Sequence, residues 1–164
     1  MSLISFMKEA GEKLFGKKVQ ETYAAPAKAD SAALDAANRE AATAIENHIN
    51  TLGLTITALT VTFDGATDVA KVYGVAKDQE TKEKAILAAG NVHGVGGVED
   101  NMTVDLSQPA AKFYTVIKGD TLSKIAKEFY GNANDYMKIF EANKPMLSHP
   151  DKIYPGQNLR IPAK

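Results

Sequence analysis

Side chains that commonly carry catalysis or hold a metal ion are few in this sequence and lie far apart. The chain has three histidines, His48, His93 and His149, and it has no cysteine. The histidines do not form a pair at the helical spacing that zinc sites use, and thiolate sites and disulfides need cysteine. These residue types therefore give no basis for a metal-dependent or thiol-dependent enzyme.

One glycine-rich segment invites comparison with a nucleotide-binding loop. Residues 94–97 read Gly-Val-Gly-Gly, but Glu99 stands where the dinucleotide-binding pattern has its third glycine. The segment also precedes a predicted strand, whereas that pattern follows one. The sequence has no phosphate-binding loop ending in Lys-Ser and no serine in a nucleophile elbow, and residues 64–68 are too few for a calcium loop. We therefore expect a protein that is not an enzyme.

Charge and hydropathy narrow the classes of partner. The formal net charge is -1 and the pI is near 6.3, so we expect no nucleic-acid partner. No stretch approaches the roughly 20 apolar residues of a membrane span. Residues 1–7 are too short and lack the basic residues of a secretory leader, which predicts a cytoplasmic protein. At 164 residues, the chain has room for one domain or two small ones.

The region from Phe113 to Pro162 has the clearest start and stop signals for secondary structure. A β-prone run is followed by a turn and a capped helix with one apolar stripe, which Gly131 ends. A second helix opens at Asn134 or Asp135 and stops before Pro145, because proline disfavours helix in the residue before it. A Pro-Gly turn then leads into a last strand. The pattern predicts strand, helix, helix, strand.

These residues resemble the lysin motif, LysM, over its whole length. The resemblance is carried by 114–116, 119–122, 125–126, Asn143 and 153–162. It implies a βααβ module with two antiparallel strands and, in many family members, a shallow groove for N-acetylglucosamine chains. The groove positions carried over are Gly119, Asp120, Thr121, Leu122, Ile153, Tyr154, Pro155 and Gly156. The alternative is that these residues only form turns and caps in a module of about fifty residues with little core.

The start of the chain has apolar residues at helical spacing. Leu3, Met7, Ala10 and Leu14 would share one face of an N-terminal helix that Gly11 weakens or ends. The opposite face alternates acidic and basic residues and lacks the basic excess of a membrane-surface helix. We therefore expect no membrane association.

Residues 24–106 predict a second set of elements. The first half of the alanine-rich stretch 24–44 predicts a flexible spacer, and a helix follows from about Leu34 to a cap at Gly53. Alternating residues predict a hairpin, Asp78 caps a second helix that Gly90 stops, and a final strand ends near Leu106. The order is helix, strand, strand, helix, strand.

That order and the glycines of residues 90–97 resemble a BON domain. Together with the LysM, the chain resembles bacterial cytoplasmic potassium-binding proteins built from BON followed by LysM, with the alanine-rich insert as the main departure. The expected fold is α+β: an N-terminal helix plus a BON domain (αββαβ) over residues 1–106, a linker over 107–112 and a βααβ LysM domain over 113–164.

The resemblance implies a potassium site built from backbone carbonyls. Its ligands would be the carbonyl oxygens near Met7, Ala10, Gly90, Val92 and Val95. Potassium is held well by carbonyl oxygens freed from secondary structure, and a helix C-terminus adds partial negative charge. Rubidium and caesium are expected substitutes.

Three hypotheses follow. The first is a potassium sensor or buffer in which the ion joins the two segments and orders the BON domain. The second is a module that recognises N-acetylglucosamine polymers such as peptidoglycan through its LysM. The third is an interaction scaffold for a protein or lipid partner.

Overall fold

The computed structural model describes residues 2–7, 10–106 and 110–164. The strands are β1 (Ser2–Ser5), β2 (Ile56–Asp64), β3 (Val69–Asp78), β4 (Gly97–Leu106), β5 (Lys112–Thr115) and β6 (Asn158–Ile161). The α-helices are α1 (Lys17–Ala24), α2 (Ser31–Thr51), α3 (Gln79–Gly90), α4 (Leu122–Tyr130) and α5 (Tyr136–Ala142). The predicted α+β class is confirmed. Within the described residues, no helix is both long and apolar enough to cross a membrane.

The N-terminal module is a four-stranded sheet with helices packed on it. The strand order is β1-β4-β3-β2, with β3 and β4 parallel and the two outer pairs antiparallel. Helix α2 packs on β2, and α3 packs on β3 and β4. The largest side chains of this core with almost no exposure are Val19, Ile45, Ile49, Val72, Ile86, Leu87 and Val92. The predicted order of helix, hairpin, helix and strand is confirmed in α2 to β4.

Local signals placed α3 correctly. The side chain of Asp78 accepts a hydrogen bond from the backbone N–H of Thr81 at 2.8 Å, which caps the helix. Hydrogen bonding from the backbone N–H of Thr81, followed by that from its side chain, lowers the pKa of the Asp78 carboxyl. Gly90 is the last helical residue, as the stop signal predicted.

The predicted N-terminal helix is wrong. Residues 2–5 form β1, which pairs antiparallel with β4, and the described residues after it form an irregular loop. Ile4 and Phe6 pack toward the core, whereas Leu3 and Met7 are 63% and 53% exposed. The inward residues therefore follow the two-residue period of a strand, and the helical spacing of the apolar residues was coincidental. Residues 8 and 9 of the predicted helix lie outside the described residues.

The alanine-rich segment contains more structure than a spacer. A 3-10 turn covers Pro26–Lys28, and α2 starts at Ser31, three residues before the predicted start at Leu34. The N-cap is Asp30, whose side chain accepts from the N–H of Ala33 at 2.7 Å. The small side chains of Ala37 and Ala41 allow close packing and are almost fully buried. The predicted flexible spacer is therefore wrong over much of its length.

The C-terminal module has the predicted βααβ order. Strands β5 and β6 pair antiparallel, and α4 and α5 pack beside them around a separate apolar core. The hydroxyl of Thr121 accepts from the N–H of Lys124 at 3.2 Å and caps α4, and Gly131 ends it with φ of 79°. Strand β5 begins at Lys112, the last residue of the predicted linker. Linker residues 107–109 lie outside the described residues.

A buried ion pair joins the two modules. The Nε of Arg160 in β6 donates to Oε2 of Glu83 in α3 at 2.5 Å, and both side chains are less than one-tenth exposed. The other oxygen, Oε1, accepts from the backbone N–H of Ala111 at 2.9 Å and from the side chain of Gln79 at 2.8 Å. Since each charge is paired and bonded, the pair can hold the modules in one orientation.

Candidate functional site

Two loops from distant parts of the chain meet beside the C-terminal end of α3. We call the described residues 6–7 and 10–12, together with residues 90–96, the paired loops. At one end, the N–H of Phe6 donates to the carbonyl of Gly96 at 2.9 Å. At the other end, the N–H of Glu12 donates to the carbonyl of Asn91, and the N–H of His93 donates to the carbonyl of Glu12, both at 2.8 Å. Four of the five predicted carbonyl ligands therefore lie between these hydrogen bonds, and Gly90 lies one residue outside them.

Several of the predicted carbonyls accept no hydrogen bond from the described part of the chain. Among the hydrogen bonds of the described residues, the carbonyls of Ala10, Gly90 and Val95 accept none. The carbonyl of Met7 accepts a long bond of 3.3 Å from the N–H of Ala10, and that of Val92 accepts from Val95 at 3.1 Å. Because a carbonyl oxygen has two lone pairs, a single accepted bond leaves capacity for a further ligand.

The predicted ligand residues differ in their surroundings. Val92 and Val95 are fully buried, and Gly90 ends α3. Met7 is half-exposed, and it lies with Ala10 in the first of the paired loops. The helix-end argument therefore holds for Gly90 but not for the first loop, which follows a strand.

Close packing fixes the glycines of this region. A Cβ on Gly90 would lie 2.0 Å from the ring of Phe6, and a Cβ on Gly11 would lie 1.8 Å from the carbonyl oxygen of Asn91. Gly11 also has φ of 111°, which side chains rarely allow. Gly11 therefore marks the close approach of the two loops, and the predicted helix end at this residue is wrong.

The chemistry of the paired loops suits a weakly hydrated monovalent cation. Neutral carbonyl oxygens can replace the hydration shell of potassium, whereas magnesium and calcium sites commonly use carboxylates. Within the described part of the chain, no group of three or more histidine, aspartate or glutamate side chains could hold a metal. The region thus offers backbone oxygens rather than a carboxylate cluster.

The LysM-like module contacts both paired loops. A Cβ on Gly156 would lie 2.8 Å from the Cβ of Ala10 and 3.0 Å from the Sδ of Met7. On the other loop, the side chain of Asn91 donates to the carbonyl of Asn158 and accepts from its N–H, both at 3.0 Å. The same two segments that carry the predicted ligands therefore also hold the C-terminal module.

The predicted carbohydrate groove has two unlike walls. On the first wall, Gly119 and Thr121 are exposed, Asp120 is half-buried and Leu122 belongs to the core. On the second wall, Gly156 is buried against the first paired loop, Ile153 and Tyr154 are half-buried, and Pro155 is exposed.

Local hydrogen bonds also occupy the groove residues. Oδ2 of Asp120 accepts from the hydroxyl of Tyr114 at 2.8 Å and from the N–H of Ile117 at 3.0 Å. The bond to Asp120 raises the pKa of Tyr114 to about 12. Thr121 caps α4, as described above. These residues serve as turn and cap residues whether or not they also contact a ligand.

Sequence reasoning missed the residues that link the modules. Asn91 lies between two predicted ligands, but its side-chain partner is 67 positions away. Glu83 and Arg160 are 77 positions apart, and no local pattern marks them as a pair. A charged residue on the inner side of a helix was the only available signal for Glu83.

Comparison with known proteins gives matches over different lengths. The LysM domain family matches residues 114–162. Potassium binding protein Kbp of Escherichia coli O6:H1 is 44% identical over 164 residues, which is 100% of both chains. An uncharacterized protein of Deinococcus radiodurans is 41% identical over 101 residues, which is 54% of this chain and 38% of its own length. Protein YqbP of Bacillus subtilis is 42% identical over 65 residues, 34% of this chain and 30% of its own.

These matches differ in what they cover. The two partial matches cover less than half of the proteins they come from. The Kbp match runs through both modules and the paired loops, from the first residue to the last. This chain belongs to the family of the potassium binding protein Kbp.

Proposed function

We propose that this protein binds potassium between the paired loops and does not catalyse a reaction. The carbonyl oxygens near Met7, Ala10, Gly90, Val92 and Val95 are the proposed ligands. The observation that carries the proposal is the pairing of the two segments by hydrogen bonds, together with carbonyls that accept no bond from any described residue. The full-length relative is named for binding potassium, which supports the same ion here.

The ion would order the protein by joining two segments that are far apart in the sequence. The first paired loop precedes α1, and the second ends α3, about eighty positions later. A cation held by both would favour the state in which they are in contact, and it would stabilise that state by RT ln(1 + [L]/Kd). Since the C-terminal module contacts both loops, it would be held in place by the same event.

Titration of dialysed full-length protein with potassium chloride tests the proposal. We expect saturable heat with potassium, rubidium and caesium, and none with sodium or magnesium at the same ionic strength. Large weakly hydrated ions exchange water for carbonyls at little cost, whereas magnesium loses water reluctantly. Tighter binding of calcium or magnesium than of potassium would contradict the carbonyl site.

Recognition of N-acetylglucosamine polymers is the second candidate, and the LysM match favours it. The contact of Gly156 with Met7 and Ala10 weighs against it, because a polymer in the groove would have to displace the first paired loop. Co-sedimentation with insoluble peptidoglycan in potassium chloride distinguishes the two. We expect the protein to stay in the supernatant, and firm retention would favour the saccharide function.

Further assignments stay predictions from the sequence. They are the BON family for residues 1–106, the cytoplasmic location, the role as sensor or buffer, and an unidentified protein partner. None of them is needed for potassium to bind between the paired loops.

A further inference from the structure

A cavity of about 290 Å³ lies between the two modules, next to the paired loops. Its walls come from the first paired loop, from α2 and α3, and from the residues before β6. The apolar part of its lining includes Leu52, Ala88 and Leu147, the last two of which are about 2% exposed. The cavity therefore has an apolar floor contributed by both modules.

Six polar side-chain groups line this cavity. They are the carboxylate of Glu12, the imidazole of His48, the hydroxyls of Ser148 and Tyr154, the ammonium of Lys152 and the amide nitrogen of Gln157. Among the described residues, none of these groups makes a side-chain hydrogen bond or ion pair. Glu12, Ser148 and Lys152 are exposed, whereas His48 and Tyr154 are half-buried and Gln157 is buried. Buried and half-buried polar groups are normally bonded to protein, to water or to a bound molecule, so only the last three indicate a place for a ligand.

The charges in the cavity balance but are carried on separate segments. Glu12 supplies one negative charge from the first paired loop, and Lys152 supplies one positive charge from the C-terminal module. Burial lowers the pKa of the His48 imidazole, and the negative charge of Glu12 opposes that shift. Burial, with a contribution from Glu12, raises the pKa of Tyr154 to about 12, so the phenol keeps its proton.

We propose that this cavity binds a small zwitterion, a molecule with an ammonium group and a carboxylate on a short carbon chain. The carboxylate of Glu12 pairs with the ammonium group of the ligand, and the ammonium group of Lys152 pairs with its carboxylate. The side chains of Tyr154 and Gln157 donate further hydrogen bonds. A molecule that carries both charges can pair with both side chains, whereas a singly charged molecule can pair with only one of them. The apolar floor receives the carbon chain. The ligand spans both modules, and this site is separate from the proposed carbonyl ligands.

Calorimetric titration of the full-length protein in fixed potassium chloride tests the site. The probes are glycine and 4-aminobutyrate, and the single-charge controls are butylamine and butyrate. We expect at least one zwitterion to bind with a dissociation constant on the order of 1 mM or tighter, and both controls to bind at least about tenfold more weakly.

Two variants and a matched control separate the cavity from surface effects. Lys152→Gln and Glu12→Gln remove one charge each at exposed side chains, and each should weaken the zwitterion at least about tenfold. Lys18→Gln makes the same change on the exposed surface of α1 and should leave binding unchanged. The proposal is overturned if neither zwitterion gives heat at about 10 mM, if butylamine or butyrate binds equally well, or if Lys18→Gln weakens binding as much as Lys152→Gln.

Discussion

Replacement of Gly11 by alanine is expected to abolish potassium binding in the concentration range where the unmodified protein saturates. The new Cβ would lie 1.8 Å from the carbonyl oxygen of Asn91 and 3.3 Å from the N–H nitrogen of His93. These atoms belong to the second paired loop, so relief of the clash must move the two loops apart. The N–H of Glu12 then loses its bond to Asn91, and the proposed carbonyl ligands on the two loops move apart.

The loss of potassium-binding free energy has two sources, which are backbone strain at residue 11 and the lost contact between the paired loops. Gly11 has φ of 111°, where a side chain costs about 1–3 kcal/mol. The backbone strain and the displaced loops together should cost about 3 kcal/mol of binding free energy, which is roughly a hundredfold in affinity. Potassium titration measures the affinity, and urea unfolding without potassium measures the folding cost separately.

Gly53→Ala is the matched control. Gly53 also has a positive φ, 67°, but a Cβ there has no neighbour within 4 Å. It should cost about 1 kcal/mol of folding stability and leave the potassium affinity unchanged. If Gly11→Ala binds potassium within threefold of the unmodified protein, the site is not between the paired loops.

Gly11→Ala is a sharper experiment than removal of the first eleven residues. That deletion would also remove β1 and its pairing with β4, because residues 2–5 form a strand of the sheet. A loss of binding could then come from damage to the sheet, whereas the alanine variant leaves β1 in place.

The elements that the sequence predicted correctly are those with local signals. The α3 cap at Asp78 and the Gly131 stop of α4 depend on residues within a few positions of the element they bound. The hairpin of β2 and β3 needs only two alternating runs and a turn between them. Such features can be read without knowing the rest of the fold.

The N-terminal strand could not be predicted in this way. In a stretch as short as residues 3–7, apolar spacings of two and of four are both present, so the period is ambiguous. Pairing with β4 decides between them, and its partners are more than ninety positions away, as in Leu3 with Glu99. The long-range hydrogen bonds to β4 therefore determine the conformation of residues 2–5, although the local spacing also fits a helix.

Residue types could not predict the proposed ion site either. A carbonyl ligand can come from any residue, so the side chains of Val92 or Ala10 carry no signal of their role. Only the glycines mark the close approach of the loops, and the family resemblance supplied the positions. The side chain of Asn91 became meaningful only once its two bonds to Asn158 were known.

Arg160→Met is expected to release the C-terminal module from α3 without unfolding it. The methionine keeps much of the apolar stem, but the Glu83 carboxylate, 3% exposed, loses its only ion-pair partner among the described residues. Removal of one partner from a buried pair costs about 3–5 kcal/mol, because the remaining charge is left uncompensated. The backbone of Arg160 keeps its two bonds to the side chain of Asn143, at 2.7 and 2.8 Å, so β6 stays in its own module.

The Arg160→Met variant should show a lower urea midpoint, a larger radius of gyration in small-angle scattering and weaker potassium binding.

Glu83→Gln combined with Arg160→Met removes both charges, so it should recover a large part of the lost stability. Lys17→Met is the matched control, because Lys17 pairs with Glu21 at 3.7 Å on an exposed helix face and should change stability by less than about 1 kcal/mol. Equal midpoints for Arg160→Met and Lys17→Met would mean that the buried pair does not hold the modules together. A double variant less stable than Arg160→Met alone would mean that uncompensated charge is not the cause of the loss.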